Sequence, residues 1–390
     1  MKSNIIYFDH ASTSPLSNNV LNTINKSYQK YWGNVSSTYK IGIDCAFELE
    51  RIRIKIAKLF NAEQEDVIFT SGSTESITLV FNQIDDNYKP QDITISAIEH
   101  NATTIASNKL KKRGWNINEW PVDSDGIIKL DDIEKFINKK TKLVSIIWGQ
   151  SEIGTLQPVQ IIGKKCKDEN IIFHVDGTQI ISNGIFNWKN LNCDLLSFSA
   201  HKFGGPKGIG ILLTNKKSRE IIRNPDISST QEYSIRPGTQ ALPLISGLCQ
   251  ALCNIKGRII HKEELIYFKD NNVRLLTNYL MDKLKNNNRI QITGSLNHRL
   301  PNHLSFILLN KDYLPIKAYK IINYMSDNNI SISSGSACSS SKNKQSIILA
   351  KLNFEESKLS SNLRVSLSIN NNLSQVDKFY DLILKCIDIF

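Results

Sequence analysis

Apolar residues along the first two thirds of the chain fall into two alternating patterns. "ELERIRIKIAKLF" (48–60) repeats its apolar positions at helical spacing, and "NATTIASNKLKKRG" (101–114) predicts a second helix. Around them stand short runs rich in β-branched residues: "DVIFTSG", "DITISAIEH", "KLVSIIWG", "NIIFHVD" and "DLLSFSAHK". Runs of that kind, bounded by turn residues, read as buried strands. Their alternation with helices predicts a mostly parallel sheet covered on both faces, with ligands gathering at the C-terminal ends of its strands.

Near residue 256 the texture changes. A long helical pattern is read over His261–Leu284, then the Asn-rich "KNNNR" and strand-like "HLSFILL", "ISISSGS" and "LRVSLSI". A closing helix starts at Ser374, with Val376, Phe379, Leu382, Ile383 and Cys386 at helical spacing. This predicts a smaller α+β domain after the large α/β one.

Composition narrows the picture. With 41% hydrophobic and 22% charged residues in 390, the chain can bury a large core. It has no apolar run of membrane-spanning length, and "MKSNIIYFDHAS" lacks the apolar core of a signal peptide, so a cytoplasmic protein is expected. Seven cysteines, an odd number without framework spacing, fit reduced thiols. Cys249 and Cys253, four apart on an apolar helical stretch, read as core residues, and no metal site is expected. The net charge of +11 comes from scattered lysines without interleaved aromatics. Direct nucleic-acid binding is therefore not expected, whereas an acidic protein partner is compatible with that surface.

Candidate chemistry sits where the strands stop. "FTSGSTES" is a strand, a glycine turn with Ser73 and Thr74, and then a helix, which offers free N–H groups and a hydroxyl to a phosphate or simply an N-cap. His100 ends "AIEH", as a general acid–base, a stacking ring or a structural histidine. Asp176 ends an apolar run, with Gln179 three residues on, and such a carboxylate needs a cationic partner. In "DLLSFSAHKFGGPKGIGILL", Ser199, His201 and Lys202 precede a glycine turn that runs into another strand, unlike a dinucleotide loop. A lysine at the mouth of the sheet suits a Schiff base in a phosphate-lined pocket. These parts together describe pyridoxal 5'-phosphate: an imine-forming lysine, an aspartate for the ring nitrogen, and a phosphate turn. Far from them, "SSGSACSSSKNKQS" (333–346) places Cys338 among small, polar and basic residues with no hydrophobic periodicity, which predicts an exposed, soft loop.

The chain resembles cysteine desulfurases of the NifS/IscS type, in the class V aminotransferase family of fold-type I enzymes. The motifs run in family order: "YFDHASTSPLS", "GNVSS", "TSGSTES", "EHNA", "SEIGTLQPV", "HVDGTQ", "SFSAHKFGGPKGIG", "RPGTQALPLISG", "RLPNHLSF", "SSGSACSS" and "LRVSLS". The resemblance implies a fold-type I PLP-dependent transferase with a mostly parallel seven-stranded sheet in a large domain (15–255). A small α+β domain (256–390) would carry the cysteine loop, and segment 1–14 would pack with it. Lys202 would bind the cofactor covalently and act as the base, Asp176 would pair with the ring nitrogen, and Gln179 would hydrogen-bond the phenolic oxygen. His100 would stack on the ring and move protons, while Ser73, Thr74, Ser199 and His201 would hold the phosphate. Thr239 would reach the phosphate of the neighbouring subunit, which implies a homodimer, and Arg364 would bind the substrate carboxylate. Cys338 would attack the sulfur of L-cysteine, leaving alanine and a persulfide. The acceptor would be an iron–sulfur scaffold or an enzyme that thiolates tRNA, a cofactor or DNA. Selenocysteine lyase, or a weakly active subunit that mainly docks partners, are the alternatives.

Two positions depart from the family pattern. Gln150, Ser151 and Glu152 stand where it reads Asn-Asn-Glu, so Ser151 replaces the asparagine that bonds the phenolic oxygen. Tyr39 stands where a histidine is common.

Overall fold

The computed structural model describes residues 5–223, 229–262, 265–335 and 345–390. Seven strands form the central sheet: β1 (Val67–Thr70), β2 (Asp92–Ser96), β3 (Asn116–Trp120), β4 (Thr141–Ile147), β5 (Ile172–Asp176), β6 (Leu195–Ser199) and β7 (Gly210–Thr214). Their order is β1-β7-β6-β5-β4-β2-β3, and only β7 runs antiparallel to its neighbours. The sheet is thus mostly parallel, as the alternation of strands and helices predicts.

The apolar runs are continuous because both faces are covered. Ile68, Ile93, Leu143, Ile172 and Leu195 point to one face, where they meet Ile77, Val80, Phe81 and Ile84 of the Ser73–Asn87 helix and Leu110 of the Asn101–Lys111 helix. Their neighbours Val67, Phe69, Val144, Phe173 and Leu196 point the other way, onto Leu49, Ile52, Ile56 and Phe60 of the Lys40–Phe60 helix. Side chains alternate across each strand, so one sequence run feeds two cores.

A second core lies in the C-terminal part. Strands β8 (Ile290–Ile292), β9 (His303–Leu308), β10 (Ser333–Ser334) and β11 (Asn362–Ser366) form an antiparallel sheet in the order β8-β9-β11-β10. Leu304, Phe306, Leu363 and Val365 pack on Val376, Phe379 and Ile383 of the closing Leu373–Ile389 helix. Ile6 and Phe8 join this core, and Ile6–Tyr7 pairs in parallel with Ile330–Ser331.

The helix expected over His261–Leu284 is not formed at its start. Arg258–Lys262 and Leu265–Lys269 are antiparallel strands, and the helix spans only Val273–Lys285. Arg258–Ile259 also pair with Ile185–Phe186. That edge supplies a partner for "RIIHK", and pairing on a pleated surface outweighs helical spacing where residues are β-branched.

Candidate active site

All the strand ends singled out in the sequence lie on one edge of the large sheet. β1 stops at Thr70, and Ser71–Gly72 turn the chain into the Ser73–Asn87 helix. The turn lies against β7: a Cβ on Gly210 would fall 2.6 Å from the Gly72 Cα, so the backbones touch. Ser73 N–H donates to Ser199 Oγ at 2.7 Å. Thr178 Oγ1 donates to Ser73 Oγ at 2.8 Å, and Ser73 Oγ lies 3.5 Å from Asp176 Oδ1. These bonds knit the ends of β1, β5 and β6 into one rim.

Asp176 is 3% exposed and accepts the Thr178 N–H at 3.0 Å. Among the described residues no lysine or arginine forms an ion pair with it. A buried carboxylate in that position suits a protonated ring nitrogen, because burial without a partner is costly.

Lys202 follows β6 in the short Ala200–Lys202 turn. Its Nζ donates to the carbonyls of Ala11 and Ser12 at 2.9 and 2.8 Å. Gln179 Nε2 donates to the same Ala11 carbonyl at 3.0 Å, and His201 Nδ1 lies 3.2 Å from Thr13 Oγ1. Residues 11–13 therefore cover the lysine and share the site. Burial, with the positive charges of Lys202 and Lys207, pushes the His201 imidazole down to about 4, so it is neutral near pH 7.

Thr74, Ser199, His201 and Lys207 surround a cleft completed by Ser12 and Thr13. The helix N-terminus there has a glycine N-cap and no capping side chain of its own. Backbone N–H groups, hydroxyls, a neutral imidazole and a lysine make a cradle for a phosphate. Sequence reading missed Lys207, although a cation in "GGPKGIG" directly after the strand-end lysine was a usable signal. It also missed Ser12 and Thr13, whose approach no local pattern encodes.

His100 is not on a strand. β2 stops at Ser96, and His100 N-caps the Asn101–Lys111 helix, its Nδ1 accepting from Ala102 N–H at 3.1 Å. Glu99, fully buried beside it, accepts Ile147 N–H at 2.8 Å and the Ser96 hydroxyl at 2.5 Å. Burial, and next the charge of Asp176, pushes Glu99 up to about 8, so it holds a proton near neutrality.

The Gln150–Glu152 turn faces the antiparallel C-terminal sheet. Gln150 Oε1 accepts the N–H groups of Glu152 and Ile153, at 2.5 and 3.1 Å. The Ser151 carbonyl lies 3.1 Å from Arg364 Nη1 and 3.0 Å from His303 Nε2, accepting from both. Arg364, 1% exposed on β11, also donates from Nη1 to Gly335 O and from Nη2 to Asp9 Oδ1 and Ser12 Oγ, at 3.2, 2.8 and 2.7 Å. Asp9 was not singled out in the sequence.

Of the expected site residues that are described, Thr239 is not brought to this rim. It is exposed and lies outside the Thr74–His201 cleft. Cys338 lies outside the described residues. The residues flanking that stretch meet one carboxyl: Ser346 Oγ donates to Glu152 Oε1, and a Cβ on Gly335 would fall 2.6 Å from the same oxygen. Burial pushes the Glu152 carboxyl above the usual carboxylate range. No cluster of potential metal ligands occurs among the described residues.

A lysine amine, a buried carboxylate and an anion cradle on one sheet edge fit a phosphorylated ring with a basic nitrogen and a carbonyl carbon. The fold is that of the fold-type I pyridoxal-phosphate enzymes, and the chain belongs to the aminotransferase class-V family, whose family model matches residues 6–379. Among its relatives, cysteine desulfurase IscS of Dictyoglomus turgidum is 30% identical, over 98% of this chain and 94% of that protein. A solved NifS-like protein superposes with a TM-score of 0.84 at 29% identity, covering 98% and 99% of the two chains. The structure of SspA in complex with cysteine gives 0.78 at 26%, covering 93% and 98%.

Proposed function

We propose that this chain is a pyridoxal 5'-phosphate-dependent cysteine desulfurase that converts L-cysteine to L-alanine and holds the sulfur as a persulfide on Cys338. The observation that carries the reading is the convergence of Lys202, buried Asp176 and the Thr74–His201 cradle, together with near full-length likeness to proteins named cysteine desulfurase. When bound, the cofactor supplies an electron sink for carbanion chemistry at the substrate carbons.

The chain's own residues do the rest. Lys202 takes and returns protons at the substrate α-carbon, and Asp176 keeps a ring nitrogen protonated. Thr74, Ser199, His201 and Lys207 fix the phosphate, with Ser73 N–H and Ser199 Oγ holding the turn in register. Gln179 bonds the phenolic oxygen; Ser151 adds its carbonyl to the setting of Arg364. Arg364 binds the substrate carboxylate, and His100 stacks on the ring and moves protons. The Cys338 thiolate attacks the substrate sulfur: an S–S bond forms, the Cβ–S bond breaks, and its electron pair goes to Cβ, where a proton completes alanine.

The working unit is a homodimer in the cytoplasm. Trp32 and Phe47, 70% and 73% exposed, are large apolar side chains that a partner subunit would cover, and Thr239 would enter the partner's site from outside its own cleft. The described cysteines are all unpaired thiols, in keeping with a reducing compartment. The sulfur passes to an acceptor protein, an iron–sulfur scaffold or a thiolation enzyme.

The test is anaerobic turnover of cofactor-loaded protein with L-cysteine and a thiol reductant, with alanine and sulfide quantified together. Equal amounts, lost in Cys338→Ala, are expected. Bound cofactor without alanine formation would sink the reading.

A further inference from the structure

Glu232, Tyr233 and Ser234 are three consecutive non-glycine residues in the left-handed region, with φ of 44°, 57° and 63°. That region is costly for an L-residue, and strain of that kind persists only where the surroundings over-determine it. What fixes it is the Glu232 carboxylate, 3% exposed. It accepts both Arg53 Nη1 and Nη2 at 2.8 Å, Phe69 N–H at 2.8 Å and Gln240 Nε2 at 3.1 Å. Arg53 is itself buried, donates to Val67 O at 2.6 Å, and lies over the rings of Phe69 and Tyr233.

These partners belong to two different places. Val67 and Phe69 are on β1, which runs into the Gly72–Thr74 turn. Gln240 follows Thr239. A second carboxylate repeats the link: Glu75, in the first turn of the Ser73–Asn87 helix, accepts Arg236 Nε at 3.1 Å and also the Ser71 N–H. Gln231 Oε1 takes the Gly238 N–H at 2.7 Å. The 236–240 stretch is therefore tied to the phosphate turn of its own subunit from several sides.

We propose that Glu232 is a positioning residue for cofactor phosphate in both subunits: it holds β1 behind the turn of its own site, and through Gln240 it aims Thr239 at the partner's. The inference rests on the reading of both as phosphate sites. The same carboxylate that neutralises Arg53 thus also bonds the backbone of β1 and the side chain that follows Thr239, so one group joins the two stretches.

The test is the preference of the apo-dimer for pyridoxal 5'-phosphate over pyridoxal, which lacks the phosphate, measured as a ratio of dissociation constants beside the melting temperature. Glu232→Gln and Gln240→Leu should each lower that preference by about tenfold, the scale of a lost bond to a charged group, while pyridoxal binding holds. Gln240→Leu leaves the Arg53 pair intact and carries the test if Glu232→Gln does not fold. Added to Thr239→Ala, Gln240→Leu should cost little more than Thr239→Ala alone, since both act on one contact. A lowered melting temperature with an unchanged preference would overturn the inference. A wild type that shows no preference for the phosphorylated form would overturn the phosphate-site reading itself, and this inference with it.

Discussion

Arg364 donates from Nη2 to the Asp9 carboxylate at 2.8 Å, so the residue assigned to the substrate carboxylate is already held by a charge of the same kind. Among the described residues Ser12, Ser151 and Gly335 take its other contacts, and its buried Nε finds no hydrogen-bond partner there. The guanidinium plane is fixed before substrate arrives. Arg364→Lys keeps the charge but loses the fork, and the KM for L-cysteine should rise by roughly 10- to 100-fold with a smaller change in kcat. Steady-state kinetics at fixed cofactor saturation measures both. A fall in kcat at constant KM would remove Arg364 from substrate binding.

Glu152 touches the residues on both sides of the stretch that contains Cys338, through Ser346 Oγ and the close approach of Gly335. Glu152→Ala should slow alanine formation by about tenfold, as expected when a nucleophile's support is loosened. The absorbance change on adding L-cysteine should stay as in the wild type. If that change is lost too, the residue serves the whole site rather than the cysteine.

Stability should peak near neutrality, because two sets of buried groups act with opposite sign. Burial pushes His10 and His174 down to about 4, and His303 well below its usual range; burial and two lysines do the same to His201. Each contributes stability that is present above the unfolded value of 6.5 and lost as pH falls toward the folded one. Glu99, raised to about 8, has the reverse sign: its contribution is present below the unfolded value of 4.5 and lost as pH rises toward 8. Burial raises Glu152 and Asp66 as well, so below 6.5 four histidines oppose three carboxyls and win. The melting temperature should climb from about pH 5 to about 6.5 and decline from there to about 8. Glu99→Gln should flatten the decline. A decline unchanged in Glu99→Gln would show that Glu99 is ionised in the fold.

Phe47 and Trp32 are exposed on or beside the helices near the start of the chain, where a homodimer would cover them. Phe47→Asp should weaken self-association by at least about tenfold, since a buried interface aromatic is a typical energetic anchor. Sedimentation velocity over a dilution series reads this directly, and an unchanged dimer would place the interface elsewhere.

Much of this was legible because the parallel sheet is buried on both faces, so its strands stand out as apolar runs with polar residues at their ends. That is why Asp176, Ser199 and Lys202 could be picked from their local context. His100 reads as the end of a strand but caps the helix that follows, since "AIEH" carries no signal that Ser96 is the last paired residue. The stretch from His261 reads as helix because its apolar spacing suits one, whereas the hairpin it forms is seated through Arg258–Ile259 on Ile185–Phe186, some seventy residues away in sequence.

The sequence by itself determined the class of fold, the chemical residues at the strand ends and the isolated cysteine, because these follow from periodicity and residue type along one stretch of chain. Only the tertiary structure decided that Asp9 meets Arg364, that Glu152 serves both flanks of the cysteine stretch, and that one buried carboxylate at Glu232 ties β1 to Gln240. Each of those contacts joins residues whose separation in sequence leaves no periodic trace. They exist because burying a charge requires a partner, and the partner can come from anywhere the fold brings near.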